Sequence, residues 1–391
     1  MKTLPDNPDL DHLRRQAKDL LTGLRDGNPR AALADAQASL AEQYGFRTWA
    51  ELKAEVDHRR GQAEVADPAL ARQLAARFGL GEVTGPMRSV SRPDEMGRRW
   101  ALETARGRWA PRTVDDVFPV TDGEENTRFQ EAAARAGVTL PAPVRSVSGA
   151  AVELVEGSLW RVYEWRHSGP PLAAPVSAPI TRMVGDTLAV LHGLRFPASG
   201  LCPWSSVRLW TRSWAELADV VAAKGLDWAP ALVAAVPVLS GLETVGQGAA
   251  VPEPVQCHNN VSPGNVRLGS GGCLILTGWE HAAGLPPAWE LSAALASWAV
   301  DPNGGVNAAG ARALLAGYRA RSGALPPLSL DTFRGAATGL LNYVAGQVDV
   351  ALSAHGEQDV RYADRNMRHL LTHLPSRTTY QQVLDAALAD A

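Results

Sequence analysis

The stretch that decides the fold is Cys257-His258-Asn259-Asn260-Val261-Ser262-Pro263-Gly264-Asn265-Val266, followed after a short gap by Leu274-Ile275-Leu276-Thr277-Gly278-Trp279-Glu280-His281. Two β-like runs flank a Gly269-Ser270-Gly271-Gly272 turn between these segments, and this pattern predicts a hairpin. The island Val255–Gly284 interrupts a region that otherwise follows the helical period. Its polar residues are therefore the candidates for the chemistry of the protein.

The length and composition of the chain exclude several classes of protein. The 391 residues are too many for one ordinary core, so two or three domains are expected. A net charge of −3 provides no basic excess for nucleic acid or an anionic membrane, and no apolar run reaches the ~18 residues of a spanning helix. Three cysteines without a CxxC pair indicate a reducing, cytoplasmic environment. We therefore expect neither a nucleic-acid partner nor a membrane partner.

Residues 1–60 are predicted to form a small helical unit. The helical period of its first half is interrupted at Asp26-Gly27-Asn28-Pro29 and then resumes. Thr48 is expected to begin a further helix as its N-cap, with Glu51 completing a capping box. The stretch 58–68 is polar and is predicted to be a linker.

Residues 68–167 have the pattern of a small antiparallel sheet that carries one helix, Glu124–Ala136. Residues 170–391 are predicted to form a mostly helical domain. The four predicted strands are Arg98–Thr104, Arg108–Val114, Ala150–Val155 and Leu159–Trp165.

At its central island the sequence resembles the aminoglycoside phosphotransferase family, the small-molecule branch of the protein-kinase-like fold. The spacing of His258, Asn260 and Asn265 matches the family motif His-x-Asp, four residues, Asn. The spacing of Gly278 and Glu280 matches its second motif, Asp-x-(Asp/Glu). The resemblance implies an α+β, bilobal protein-kinase-like fold, with a small antiparallel sheet lobe and a larger helical lobe, here preceded by the N-terminal helical unit.

The resemblance also implies ATP and Mg²⁺ as cofactors and a role for each matching position. In the family the first Asp accepts the proton of the acceptor, the Asn and the second-motif Asp hold Mg²⁺, and a strand lysine paired to a helix glutamate binds the nucleotide. The implied catalytic residues are Asn260 and His258, the metal ligands Asn265 and Glu280, and the nucleotide-binding residues Arg112, Glu131 and Trp165. Glu131 stands in the position of the pairing helix, and Gly81–Met87 in that of the loop over the phosphates.

Three functional groups of the family are missing from this chain. The neutral amide of Asn260 can orient a hydroxyl but cannot take its proton. Gly278 has no side chain where the family has a metal-binding acid. Arg112 replaces the strand lysine, since no lysine lies between Lys53 and Lys224. A lost general base alone lowers the rate by roughly 10²–10⁴.

These departures favour a degenerate, pseudokinase-like member that binds a nucleotide, a small molecule or a partner peptide in the inter-lobe cleft. One alternative is an active ATP/Mg²⁺-dependent phosphotransferase acting on a small hydroxylated metabolite or an antibiotic, with Glu280 and Asn265 as metal ligands. Another is a scaffold subunit of a multi-protein complex. We expect residues 10–57, which are too few to be stable alone, to pack on the sheet of the same chain. A protein partner is the alternative for these residues.

Overall fold

The chain divides into two compact units. The first comprises residues 1–131, 139–170 and 267–275, and the second comprises residues 132–138, 171–266 and 276–391. The computed structural model describes residues 2, 4–27, 29–44, 46, 48–62, 64–91, 97–114, 122–166, 171–301, 304–353, 364, 366–368 and 370–389. The boundary predicted at 167–170 therefore lies outside the described residues.

Three helices open the first unit: α1 (Leu10–Gly27), α2 (Leu33–Gln43) and α3 (Trp49–Gln62). Thr48 is the N-cap of α3, since its Oγ1 accepts the Glu51 N–H at 3.1 Å. The apolar faces of these helices meet in a small core formed by Leu4, Leu13, Ala41, Leu52 and Val56. The interrupted helical period thus predicts the helices of this unit.

The stretch predicted as a linker is partly helical and partly bonded to the sheet. Its first residues, 58–62, complete α3, so the prediction of a polar linker is wrong over this part of 58–68. The Ser89 N–H then donates to the Glu64 carbonyl at 2.9 Å. Asp6 adds a second connection, because its carboxylate accepts the Ser89 hydroxyl at 2.9 Å and its N–H donates to the Ser91 carbonyl at 2.8 Å. The N-terminal helices are thereby docked on the sheet of the same chain, as the sequence predicts.

The rest of the first unit is built on an antiparallel sheet. Its elements are α4 (Pro68–Arg77), β1 (Arg88–Ser89), β2 (Trp100–Thr104), β3 (Gly107–Thr113), α5 (Gly123–Arg135), β4 (Pro143–Val144), β5 (Glu153–Val155) and β6 (Ser158–Glu164). The strand order is β1-β2-β3-β6-β4, and β5 is also paired to β6. Alternate residues of one face of this sheet pack against α4 in a core that includes Leu74, Leu102 and Val162. The four predicted strands and the predicted helix are confirmed.

The interpretation of Gly81–Met87 as the loop over the phosphates is wrong. This segment precedes β1, whereas a loop that covers phosphates in a kinase-like sheet connects the first two strands. In this chain β1 ends at Ser89 and β2 begins at Trp100, so Gly81–Met87 is not that connection.

The second unit is mainly helical and contains the non-helical island except for residues 267–275, which belong to the first unit. Its helices are α6 (Ala178–Gly193), α7 (Pro203–Ser206), α8 (Trp214–Ala223), α9 (Ala229–Glu243), α10 (Pro287–Ala299), α11 (Ala308–Ser322), α12 (Arg334–Ser353) and α13 (Arg377–Leu388). The strands of the island are β7 (Val255–Cys257), β8 (Val266–Leu268), β9 (Leu274–Leu276) and β10 (Ala283–Leu285). None of the described helices is long and apolar enough to cross a membrane.

Candidate functional site

Two short strand pairs bring the two motifs of the island together. β7 pairs antiparallel with β10, and β8 pairs with β9. The Asn265 carbonyl accepts the Thr277 N–H at 2.8 Å and the Thr277 hydroxyl at 2.9 Å. Residues 258–265, the first motif loop, therefore lie beside residues 277–281, the second motif loop.

His258 supports the first motif loop from inside the protein. The side chain is fully buried, and its ring meets the ring of Trp279 edge to face at 4.6 Å between centroids. Its Nδ1 accepts the Asn260 N–H at 3.2 Å. Burial lowers the pKa of His258 to about 4, although the charges of Glu290 and Glu280 oppose this shift. The ring is therefore neutral near pH 7 and holds the loop backbone.

Asn259 fixes the backbone of the first motif loop, a role that the motif spacing does not reveal. Its φ of 62° lies in the left-handed region, which asparagine tolerates better than most residues. The side-chain amide donates to the carbonyls of His281 at 3.1 Å and Ala283 at 3.0 Å. The backbone N–H donates to the carboxylate of Glu290 on α10. Asn259 thus ties the first motif loop to the second and to the helix that follows.

Glu290 is a buried carboxylate at the centre of a hydrogen-bonded chain. Besides the Asn259 N–H, it bonds His192 Nε2 at 2.8 Å, and His192 Nδ1 bonds the Tyr318 hydroxyl at 3.0 Å. Burial alone would raise the pKa of Glu290, but the hydrogen bond and charge of His192 hold it below the usual value. The chain joins α11, α6 and α10 to the first motif loop. In the sequence, Pro287–Leu291 resembles the helix that follows the second motif in the aminoglycoside phosphotransferase family, and this resemblance is the sequence signal for Glu290.

The amide of Asn265 occupies the space in front of position 278. Its Nδ2 donates to the Asn260 carbonyl at 3.1 Å and to the Ser262 hydroxyl at 3.4 Å. Gly278 has a φ of 85°, and a Cβ built there would lie 2.8 Å from Asn265 Cγ and Oδ1. Atoms this close would clash. The present rotamer of Asn265 is therefore compatible with glycine at position 278 and not with a residue that has a Cβ.

The residues predicted to bind a metal do not fit Mg²⁺. This cation requires near-octahedral oxygen coordination and is usually bound through one or two carboxylates. Glu280 is the sole carboxylate of the two motif loops, and it is only 5% exposed. Its charge acts on buried His258, whose pKa it tends to raise. Asn265 adds one neutral oxygen, so the donor set lacks an accessible carboxylate.

The predicted nucleotide-binding residues lie in the first unit. Arg112 is a half-buried residue of β3, and its Cα is paired with that of Arg161 on β6. Glu131 bonds Arg145 through Oε1 at 2.7 Å, so the predicted pairing of Glu131 with the strand cation is wrong. The reason lies in the helical period, because the neighbouring Gln130 takes the buried side of α5 and turns Glu131 towards its partly exposed side.

Trp165 follows β6 directly and is half-buried. The Arg108 guanidinium lies over its ring at 3.9 Å from the centroid, a cation–π contact. The backbone N–H of Trp165 also donates to the backbone carbonyl of Arg108 at 3.2 Å. One face of the ring is therefore covered by the protein, and a ligand contact would have to use the other face or the ring margin.

Comparison with known proteins decides the family. The model described as the phosphotransferase enzyme family matches residues 92–324, which is more than half of the chain. The chain belongs to this family. Among curated proteins no match to this phosphotransferase-family chain was found.

Solved structures of other phosphotransferases share the fold of this family member. Spectinomycin phosphotransferase in complex with ADP and spectinomycin matches with a TM-score of 0.56 at 11% identity, over 83% of this chain and 98% of its own. The amicoumacin kinase in complex with AMP-PNP, Ca²⁺ and Ami gives a TM-score of 0.53 at 12% identity, over 83% of this chain and 96% of its own. A microcompartment-associated aminopropanol kinase gives 0.51 at 13% identity, over 82% and 99%. The predicted α+β, kinase-like fold is confirmed.

Proposed function

We propose that this member of the phosphotransferase family binds a nucleotide and transfers its phosphoryl group slowly or not at all. The observation that carries the proposal is the contact between position 278 and Asn265. The place of a metal-binding carboxylate is taken by a neutral amide, and hydrogen bonds to Asn260 and Ser262 hold that amide in place.

The chemistry of phosphoryl transfer explains why these positions matter. The reaction depends on metal ions that neutralise the phosphates and on a group that positions the acceptor hydroxyl. Asn260 offers an amide for the second task, but it takes up no proton at neutral pH. A missing general base lowers the rate by roughly 10²–10⁴, and a missing metal ligand lowers it further, although the two losses are not additive.

Nucleotide binding is supported by the family and by Arg112. The spectinomycin phosphotransferase and amicoumacin kinase structures contain ADP and AMP-PNP, respectively. Arg112 supplies a permanent positive charge on β3, where the resembling family has its nucleotide-binding lysine. The alternatives for the ligand are a small molecule and a partner peptide. The alternative for the whole protein is a scaffold role. Burial of Glu280 speaks against an active kinase that relies on this carboxylate for Mg²⁺.

Turnover and binding are tested on the same preparations. For the wild-type protein we expect ATP binding by calorimetry together with phosphate release near background. Turnover of ~1–100 s⁻¹, the range usual for kinases, would contradict the proposal. If the wild-type protein does not bind ATP at all, the proposed nucleotide binding is contradicted.

A double substitution tests whether positions 260 and 278 are responsible. In Asn260→Asp/Gly278→Asp the new carboxylate at 278 displaces the Asn265 amide, and Mg²⁺-dependent ATP binding should strengthen at least tenfold. The matched control is Asn260→Asp/Gly278→Asn, which makes the same steric and backbone demands without the second charge. Equal Mg²⁺ dependence of the two variants would show that the missing carboxylate at 278 is not the cause.

A further inference from the structure

A histidine, a cysteine and a glutamate meet inside the second unit. The side-chain donor atoms of His192, Cys257 and Glu290 all lie within 4.8 Å of one another. The three residues come from α6, β7 and α10, and each is at most 5% exposed. Imidazole nitrogen, thiolate sulfur and carboxylate oxygen are the donor types that proteins use for Zn²⁺. The cluster therefore has the composition of a zinc site.

The spacing of these donor atoms is close to that of a tetrahedral site. With bonds of about 2.0–2.3 Å, such donors around a tetrahedral Zn²⁺ are about 3.3–3.6 Å apart. His192 Nε2 and Glu290 Oε2 are 2.8 Å apart, so they would separate by about 0.5 Å. The longest separation in the cluster would shorten by at most about 1.3 Å. The Leu285 carbonyl accepts the Cys257 thiol at 3.3 Å and thus lies within reach of a fourth position.

Two of the donor groups are already oriented by a partner on their far side. Oε1 of Glu290 accepts the Asn259 N–H, which leaves Oε2 directed at His192. The other ring nitrogen of His192, Nδ1, bonds the Tyr318 hydroxyl at 3.0 Å. Histidines and carboxylates that bind a metal usually have such a second partner, which fixes their orientation. These hydrogen bonds therefore match the outer partners of a zinc site.

The charges of the cluster also favour a divalent cation. Burial raises the pKa of Cys257, so without a metal this residue is a thiol and Glu290 supplies the negative charge. A thiolate and a carboxylate together would neutralise Zn²⁺, and a neutral group is the least costly to bury. Mg²⁺ and Ca²⁺ require oxygen donors, so the sulfur and nitrogen atoms select against both.

We propose that His192, Cys257 and Glu290 bind one Zn²⁺ ion in a buried structural site next to the first motif loop. On binding, the Cys257 S–H bond is replaced by a Zn–S bond and the proton leaves to solvent. The His192 ring moves its proton from Nε2 to Nδ1, where the Tyr318 oxygen accepts it. Because the donors are buried, the ion would enter while the chain folds. The proposal is independent of nucleotide binding and adds a metal-held connection between α6, β7 and α10.

The test uses the full-length chain, unfolded with a reductant and a chelator and then refolded with equimolar Co²⁺ or Zn²⁺. A thiolate bound to Co²⁺ gives a charge-transfer absorption that a hydrogen-bonded thiol lacks. In Cys202→Ser/Cys273→Ser, the sole-thiol variant, Cys257 is the only cysteine left. This variant should keep the absorption and about one metal ion per chain. Cys257→Ser should lose the absorption and bind the metal at least tenfold more weakly.

A second substitution tests the histidine donor. In the sole-thiol variant, His192→Gln should raise the Kd for Co²⁺ at least tenfold, as measured by competition with a chelator. The matched control is exposed His373→Gln, which should change this Kd less than twofold. Refolding with Zn²⁺ should also raise the melting temperature of the sole-thiol variant and leave that of Cys257→Ser unchanged, because a ligand stabilises the state that binds it.

Two results would overturn the proposal. One is a wild-type protein that refolds without taking up Co²⁺ or Zn²⁺. The other is a Cys257→Ser protein that keeps the metal and the absorption, because the ion would then be bound elsewhere. If Cys257→Ser does not fold, the sole-thiol variant still decides, since its charge-transfer absorption can come only from Cys257.

Discussion

At the scale of single residues, Glu290 connects the packing of three helices to the first motif loop. Its carboxylate serves both His192 and the Asn259 N–H while buried. Glu290→Gln keeps the shape but removes the charge that strengthens both hydrogen bonds, so we expect a loss of about 1–3 kcal/mol in the free energy of unfolding. Urea unfolding at pH 7 measures it. Glu253→Gln is the exposed control and should stay within about 0.5 kcal/mol.

His258 predicts how stability depends on pH. Its pKa is lowered to about 4 in the folded protein, against 6.5 for an ordinary histidine. Between these values the unfolded chain binds more protons, so stability is full above about pH 6.5 and falls as the pH falls towards 4. From the difference between these two pKa values we expect the free energy of unfolding to fall by about 2 kcal/mol between pH 7 and pH 5.

The pH prediction is checked by urea unfolding at both pH values in matched variants. His258→Gln should flatten the profile over this range. His12 also has a pKa lowered by burial, but it is less deeply buried, so His12→Gln should retain most of the fall. A profile that His12→Gln flattens and His258→Gln leaves unchanged would contradict this assignment.

At the scale of elements, α6 and α11 approach each other through two glycines. A Cβ at Gly185 would lie 1.9 Å from the Leu314 carbonyl oxygen, and one at Gly317 would lie 2.0 Å from the Arg182 carbonyl oxygen. Gly185→Ala should therefore push the helices apart and cost about 1–3 kcal/mol in urea unfolding. In the control Gly346→Ala, inside α12, the new methyl has free space and should stabilise by about 0.5–1 kcal/mol. If the two substitutions change the free energy of unfolding equally, then close contact between the backbones of α6 and α11 does not set the effect of Gly185→Ala.

Much of this element structure could be predicted from the sequence, and the misses have physical causes. The helical period predicts a helix over Trp214–Ala223, and α8 has this same range, because its apolar period and its Ser213 capping box are local signals. α9 has no comparable amphipathic pattern, and it contains Pro237, a residue that usually breaks helices. β1 and β4 have two residues each and are strands only through their partners.

The sequence predicts those residues of the site whose separations along the chain match a family motif. His258, Asn260, Asn265, Gly278 and Glu280 were found because a motif fixes their separations, and the structure brings them together in two adjacent loops. The ion pair of Glu131 with Arg145 is not predicted, because a step of one residue along a helix rotates the side chain by about 100° around the helix axis. Partners 31 to 98 residues apart, such as those of Glu290, become neighbours only in the folded chain.

At the scale of the whole molecule, the N-terminal helices are part of the first unit. Deleting residues 1–60 removes the Asp6 hydrogen bonds and uncovers apolar surface, so the remainder should melt several degrees lower and bind more hydrophobic dye. Calorimetry and dye fluorescence measure both effects. In the full chain, Asp6→Ala should shift the melting temperature in the same direction, and exposed Asp11→Ala should not. A truncated protein that melts unchanged and loses a co-purifying partner would instead identify these helices as a recruitment module.

The hydrogen bonds between residues 64–66 and the strand β1 also bear on solubility. β1 is the outermost strand of its sheet, and an open outermost strand is a template for pairing with another molecule and hence for aggregation. Here the Ser89 N–H donates to the Glu64 carbonyl, and the Ala66 N–H donates to the Met87 carbonyl. These bonds already occupy the outer side of the sheet at β1. At the opposite margin β4 and β5 are only two and three residues long, and β4 begins with Pro143, which has no N–H to donate. The fold thus protects both margins of the sheet against intermolecular strand pairing.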